Sequence, residues 1–307
     1  MIETPVAFFI FKRPALTRTA FNAIRQVKPK TLLIVADGPR SREEKLSCDE
    51  ARDIINDIDW DCELKTNFAD TNLGCRNRVA SGLDWVFSQV EEAIILEVDC
   101  LPAPDFFSFC EEMLKHYRHD DRVMMVDGSR IDDGIPKEHS YYFSKYAGIW
   151  GWASWKRAWK CYDVSMKNWP GVRNSLEFRA LFDDVYEQLF WRDIFDKTFD
   201  GKIDTWDYQL IYALMLNKGL SVTPNVNLVQ NIGFGQGATH TTSPTPLANL
   251  PMGVMREIKH PPNVVSNQES DRYVFDHYYG GNRLRYSLKG KLQAWFLRKN
   301  KACKSRD

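Results

Sequence analysis

The chain has 307 residues, of which 44% are hydrophobic and 27% charged, and its formal net charge is zero. That is the make-up of an ordinary globular protein with room for one large α/β domain or two smaller ones; no internal repeat, low-complexity tract or run of 18 apolar residues is present, which excludes repeat, disordered and helical membrane-spanning classes. Residues 282–307 hold nine Lys or Arg against one acid, leaving 32 basic and 40 acidic residues elsewhere, and an acidic body with a basic tail is a poor match to a nucleic-acid binder.

Residues 5–11 (Pro-Val-Ala-Phe-Phe-Ile-Phe) are apolar without alternation, which suits a central parallel strand. Lys12-Arg13-Pro14 then turns into a helix carrying Leu16, Ala20, Ala23 and Ile24 at helical spacing, with Pro14 suited to its first turn. Residues 31–36 predict a second strand ending at Asp37-Gly38-Pro39-Arg40, and a polar helix follows over 42–58. Residues 62–68 alternate as a third strand, after which residues 72–78 (Asn-Leu-Gly-Cys-Arg-Asn-Arg) lead into a helix over 79–89. The fourth strand is the apolar run from Ala93, closed by Glu97-Val98-Asp99. Residues two apart on a strand share a face, so Glu97 and Asp99 point to one spot at the C-terminal edge, where open α/β sheets bind ligands. Two hard oxygen ligands there suit Mg²⁺ or Mn²⁺ bridging to a diphosphate; the plain alternative is two solvated acids at a strand end. Pro102 and Pro104 are expected to end pairing beyond them. The alternation of strand and helix predicts a doubly wound, mostly parallel sheet. No Gly-x-Gly-x-x-Gly follows the first strand and no Gly-x-x-x-x-Gly-Lys-Ser/Thr occurs, which disfavours dinucleotide and P-loop folds.

In this order and spacing the first hundred residues resemble the nucleotide-binding half of a GT-A fold glycosyltransferase of the family 2 kind. Phe11-Lys12-Arg13-Pro14 matches its Pro-containing turn, Asp37 the acid ending its second strand, Asn72 to Asn77 its Asn-x-Gly turn before an Arg-Asn helix, and Glu97-Val98-Asp99 its Asp-x-Asp motif. The resemblance implies that Asp37 contacts a nucleoside, that Asp99 with help from Glu97 holds a metal, and that Arg13, Arg76 and Arg78 assist at the donor's phosphates. Many relatives have three adjacent acids here, and Val98 replaces the middle one.

Residues 106–117 predict an amphipathic helix, and 123–126 a strand ending in Asp127, which reads as a turn former. Residues 141–170 are rich in aromatics. Gly148-Ile149-Trp150-Gly151-Trp152 joins glycines that let backbone approach a ligand to flat indoles that suit a hexose. It resembles the glycine-containing acceptor loop of GT-A enzymes, which makes Gly148, Trp150, Gly151 and Trp152 candidate acceptor residues; the alternative is core. Trp155 and Trp159, at i and i+4 of an expected helix, read as core. Residues 176–199 predict a helix, and 210–217 another that Asp207 introduces. An acid there complements the helix dipole; the resemblance implies instead that Asp207 is the catalytic base, with Asp204 as fallback. The Gly-rich stretch 231–241 contains His240, a surface histidine or, by the resemblance, a ligand of the metal or diphosphate. Residues 243–270 are Pro-rich, 271–279 predict a short aromatic helix, and 284–301 a basic amphipathic helix that suits an anionic membrane surface or packs on its own domain.

Seven Cys without a Cys-x-x-Cys imply free thiols rather than a disulfide framework or zinc site. A cytoplasmic protein is expected, with the tail its candidate for peripheral contact with the inner face of a membrane. The expected organisation is a GT-A domain over 1–245, divided at 102 into nucleotide and acceptor halves, and an extension over 246–307. The expected activity is metal-assisted (Mn²⁺ or Mg²⁺), inverting transfer of a sugar from a nucleotide sugar, a UDP-sugar first, to a hydroxyl of a glycan or lipid-linked acceptor. One rival is a non-catalytic GT-A-like module binding a nucleotide sugar or glycan. Another is a sugar nucleotidyltransferase, which needs a Gly-rich signature that residues 11–14 lack.

Overall fold

The computed structural model describes residues 1–132, 135, 138–234 and 250–304. Its first part alternates as the apolar periodicity requires: β1 (Val6–Ile10), α1 (Pro14–Val27), β2 (Thr31–Ala36), α2 (Arg42–Arg52), β3 (Glu63–Phe68), α3 (Gly74–Gln89) and β4 (Glu92–Glu97). A short β5 (Cys100–Pro102) and α4 (Pro104–His116) lead to β6 (Val123–Asp127), β7 (Tyr141–Ser144) and β8 (Trp152–Trp155). Helices α5 (Lys156–Trp159), α6 (Trp169–Val172), α7 (Leu176–Ala180), α8 (Val185–Phe199) and α9 (Asp207–Leu216) follow. The chain returns through β9 (Leu220–Pro224) and β10 (Val229–Asn231), and closes with α10 (Gln268–Tyr273), a π-helical turn (Val274–Tyr278), α11 (Gly281–Tyr286) and α12 (Leu288–Lys304).

Eight strands form one sheet in the order β3-β2-β1-β4-β8-β6-β9-β7. Four of its seven pairings among the described residues are parallel, and those of β8 with β4 and β6, and of β7 with β9, are antiparallel. The α/β class and the parallel β3-β2-β1-β4 half are as the sequence predicts. β8 is the difference: Trp152 and Trp155, expected in a loop and a helix, are strand residues, because Trp-Ala-Ser-Trp is buried on both faces between β4 and β6. The expected 176–199 helix is two helices, with Asp184 capping the second through the Tyr186 amide.

Alternate residues of the same strands feed opposite faces. Val6, Phe8, Ile10, Leu32 and Ile34 pack with Phe21, Phe106 and Phe107 on one side, and Ala7, Phe9, Leu33 and Val35 pack with Val79, Leu83 and Trp152 on the other. Each such large side chain contributes roughly 1.5–3 kcal/mol by leaving water. A third cluster, Trp169, Phe178, Trp191 and Phe195 with Val274 and Phe275, ties the later helices to the C-terminal segment. Cys48, Cys62, Cys75, Cys100, Cys110 and Cys161 are free thiols.

Candidate active site

The C-terminal ends of β1, β2, β4 and β6 open into a cavity of about 1020 Å³. Phe11, Asp37, Glu97, Asp99 and Asp127 enter it from those ends, and Asp207 enters from the first turn of α9. The strand end before the Asp-x-Asp-like motif therefore faces the helix start more than a hundred residues later.

Glu97 and Asp99 are half-buried in the cavity wall. Burial raises the Glu97 carboxyl, and the charges of Asp99 and Asp207 raise it further. Burial also raises Asp99, while Arg13 opposes the shift. Past Asp99 the chain does not leave pairing as its prolines suggested: Cys100–Pro102 forms a two-stranded antiparallel ribbon with β10. A two-stranded ribbon tolerates Pro because each strand has an open edge. The ribbon seats Asn231 opposite Cys100, and the Ile232 amide donates to the Asp99 carbonyl at 2.8 Å. Gly233 donates to Asn231 Oδ1 at 2.8 Å, and its carbonyl accepts from Arg13 Nη1 at 3.5 Å. Two hard carboxylates buried in one wall, with the charge of Asp99 raising Glu97, are a donor set short of positive charge, and Mg²⁺ or Mn²⁺ fits that deficiency.

Asp207 is the first residue of α9, and the Thr205 hydroxyl donates to its Oδ1. Asp204, the fallback, is exposed at the rim. The preceding Trp206 is buried and stacks on Trp152 at 5.9 Å, which anchors the helix start to the sheet. Tyr208, Tyr278 and Tyr279 share this wall, Tyr278 as an exposed side chain; burial, and then charges that include Asp207, push the hydroxyls of Tyr208 and Tyr279 up, Tyr208 to about 12. Tyr278 and Tyr279 went unnoticed in the sequence. They lie in a run that reads only as an aromatic helix, in the segment expected as an extension.

At the nucleotide end, both oxygens of Asp37 hold the 72–74 turn. They accept from the amides of Gly38, Leu73 and Gly74 at 2.8, 2.9 and 3.2 Å, and from Asn72 Nδ2 at 2.9 Å. Arg13 lines the cavity, and so does Arg40, whose guanidinium lies over the Phe11 ring at 5.5 Å; the sequence offered Arg40 only as part of a turn. Arg76 is not in the cavity wall, since its Nη2 donates to the Val164 carbonyl at 3.0 Å. Arg78 reaches the wall but is buried, and it donates to the backbone and side-chain oxygens of Asn67. These two arginines join α3 to its surroundings, a use that the pattern Arg-Asn-Arg does not reveal.

On the acceptor side, Gly148 and Trp150 line the cavity, whereas Gly151 and Trp152 do not. Gly151 sits at φ +65° and its carbonyl accepts from Gly128, so it makes the turn into β8. Trp152 is 1% exposed, in the core cluster with Phe9, Val35 and Trp206. The residue that positions the loop is Asp127. It is 3% exposed and accepts from the Gly148 amide at 3.0 Å, from Thr223 Oγ1 at 3.0 Å and from Ser221 Oγ at 3.3 Å. Burial nevertheless pushes its carboxyl up to about 7. A signal existed in Val-Asp-Gly, which repeats the strand-end Asp-Gly of residues 37–38. His240 lies outside the described residues. Among the described residues one other group of possible metal ligands gathers, Glu112, His116 and His260, and none of them lines the cavity. The rings of His116 and His260 stack in parallel at 4.1 Å, so their in-plane lone pairs do not converge on one ion.

No family model and no curated protein sequence matches the chain. Similar solved structures include a mannosyltransferase, PcManGT from Pyrobaculum calidifontis, in complex with GDP-Man and Mn²⁺. That match has 14% identity and a TM-score of 0.34, and covers 50% of this chain and 45% of that one. GalNAc-T7 with UDP, GalNAc and Mn²⁺ matches at 11% identity and a TM-score of 0.42, over 73% of this chain and 43% of that one. A UDP-glucose pyrophosphorylase complexed with UDP-glucose matches at 10% identity and a TM-score of 0.37, over 73% and 90%. This chain spans less than half the length of the first two proteins.

Proposed function

We propose that the protein is an inverting glycosyltransferase that takes a sugar from a nucleotide-sugar donor, a UDP-sugar first, to an acceptor hydroxyl. One observation carries this reading: Asp99 and Glu97 at a strand end, and Asp207 at a helix start, line the same cavity, with Asp207 close enough to raise Glu97.

Asp99, with Glu97, would hold Mg²⁺ or Mn²⁺, which supplies positive charge against the leaving diphosphate. Arg13 and Arg40 stand at the same end of the cavity to hold phosphate oxygens. Asp207 takes the proton of the acceptor hydroxyl as that oxygen forms its bond to the anomeric carbon and the bond to the diphosphate breaks. The Thr205 hydroxyl donates to one oxygen of Asp207 and helps hold the carboxylate at the cavity wall. Gly148, held by Asp127, and Trp150 present the acceptor, which we take to be a glycan or a lipid-linked sugar. Asp37 organises the turn against which the nucleoside packs.

The test is a screen of nucleotide sugars for Mn²⁺-dependent release of nucleoside diphosphate, with Asp99→Asn, Asp207→Asn and chelator as controls. Release that both variants and the chelator abolish supports the reading. Binding of nucleotide without release or transfer under any donor and acceptor leaves a binding module instead.

A further inference from the structure

Helix α12 carries a second surface that the cavity does not explain. It packs on α8 and α11, and its buried side is small: Gly290 and Ala294. The opposite side is large and apolar. Leu288 is 82% exposed, Leu292 60%, Trp295 49% and Phe296 59%. Positions 288, 292, 295 and 296 follow helical spacing, so they form one stripe. Tyr286, just before the helix, is exposed as well. Lys289 and Lys291 are exposed beside the stripe, and Lys299 lies over the Trp295 ring at 4.2 Å. The surrounding segment, 282–307, has nine cationic residues and one acid, while the rest of the chain has 40 acids against 32 cations.

We propose that α12 is an interfacial helix that seats the protein on an anionic lipid surface. Leucines with Trp and Phe on the outward side enter the headgroup boundary, and flanking lysines meet lipid phosphates. No helix among the described residues is long and apolar enough to cross a bilayer, so the helix lies in the surface plane. Charge selects this occupant over two others. A second copy would bring its own basic segment, with nine cations to one acid, against this one. A nucleic acid would meet the acidic body and leave the apolar stripe in water. The inference stands apart from the glycosyltransferase reading, and its test does not use catalysis.

The experiment is co-sedimentation of the full chain with vesicles of phosphatidylcholine alone or mixed with phosphatidylglycerol, at low and high salt. Two double variants are compared, Leu292→Gln with Phe296→Gln, and Lys289→Gln with Lys291→Gln; all four residues are exposed, and unchanged thermal unfolding verifies the fold. Binding to the anionic vesicles is expected to exceed binding to neutral ones by at least about tenfold, and each double variant to lose about tenfold. Equal binding to both vesicles overturns the proposal. So does loss in the lysine variant with none in the Leu292/Phe296 variant, which marks a purely ionic contact. A concentration-dependent dimer without lipid, dissolved by the same variants and accompanied by no vesicle binding, also overturns it and assigns the face to a second copy.

Discussion

Gly233 lies so close to Asp99 that a Cβ built on it would stand 2.5 Å from Asp99 Cβ and 2.6 Å from Oδ2. The β5/β10 ribbon forces this approach, and only glycine leaves the carboxylate in place. Gly233→Ala is expected to displace Asp99 and to weaken Mn²⁺-dependent turnover by roughly 10–100-fold, the range for changes that reorient a ligand. The Mn²⁺ midpoint of nucleoside diphosphate release measures it; an unchanged midpoint would mean that Asp99 does not hold the ion.

Asp207→Asn keeps the Thr205 contact and the helix start but removes the proton acceptor. Transfer is expected to fall by about 10²–10⁴ with donor binding retained, whereas Asp204→Asn, at the exposed rim, changes it little. Single-turnover rates for the two variants decide this, and equal losses would count against Asp207 as the base.

Asp127 gives a pH signature. An exposed Asp titrates near about 4, and burial holds Asp127 at about 7 in the folded chain. Between those values the folded state keeps a proton that the unfolded state has lost. Stability from this group is therefore highest in acid, falls as pH rises from about 4 to about 7, and stays low above that. Asp127→Asn removes the slope, so its melting temperature should gain on the wild type across that window, by on the order of 2–4 kcal/mol in free energy at the alkaline end. Parallel melting curves at every pH would contradict the buried, protonated carboxyl.

The two tryptophans of the 148–152 stretch should separate cleanly. Trp152→Ala empties a core site against Trp206 and is expected to destabilise the fold by about 3–5 kcal/mol. Trp150→Ala, at the cavity wall edge-on to Phe234, should leave the melting temperature near wild type and raise the acceptor KM. Urea unfolding together with acceptor titration measures both; a stability loss in Trp150→Ala as large as that in Trp152→Ala would remove its role at the wall.

The parallel half of the sheet was legible because its strands are unbroken apolar runs, and their order alone puts Asp37, Glu97 and Asp99 at one edge. Asp207 read from its position only as an acid at a helix start, and it was the resemblance that pointed it to the site. β8 was not legible, since Trp-Ala-Ser-Trp lacks the alternation of a half-exposed strand and both its faces are covered. Arg76 and Arg78 looked like phosphate ligands because sequence shows charge but not the carbonyls of Val164 and Asn67 that absorb it. Asp127 hid behind its turn propensity, because its hydroxyl partners Ser221 and Thr223 lie some 94 and 96 positions away. The tail read as either membrane-seeking or packed on its own domain; α12 does pack, through its small residues, and turns its large ones outward.

Tyr278 and Tyr279 line the same cavity as Phe9, so residues far apart along the polypeptide share one wall. A wall built this way makes the C-terminal segment part of the site, since a chain without residues 274–279 would lack the Val274, Tyr278 and Tyr279 side chains that line the cavity.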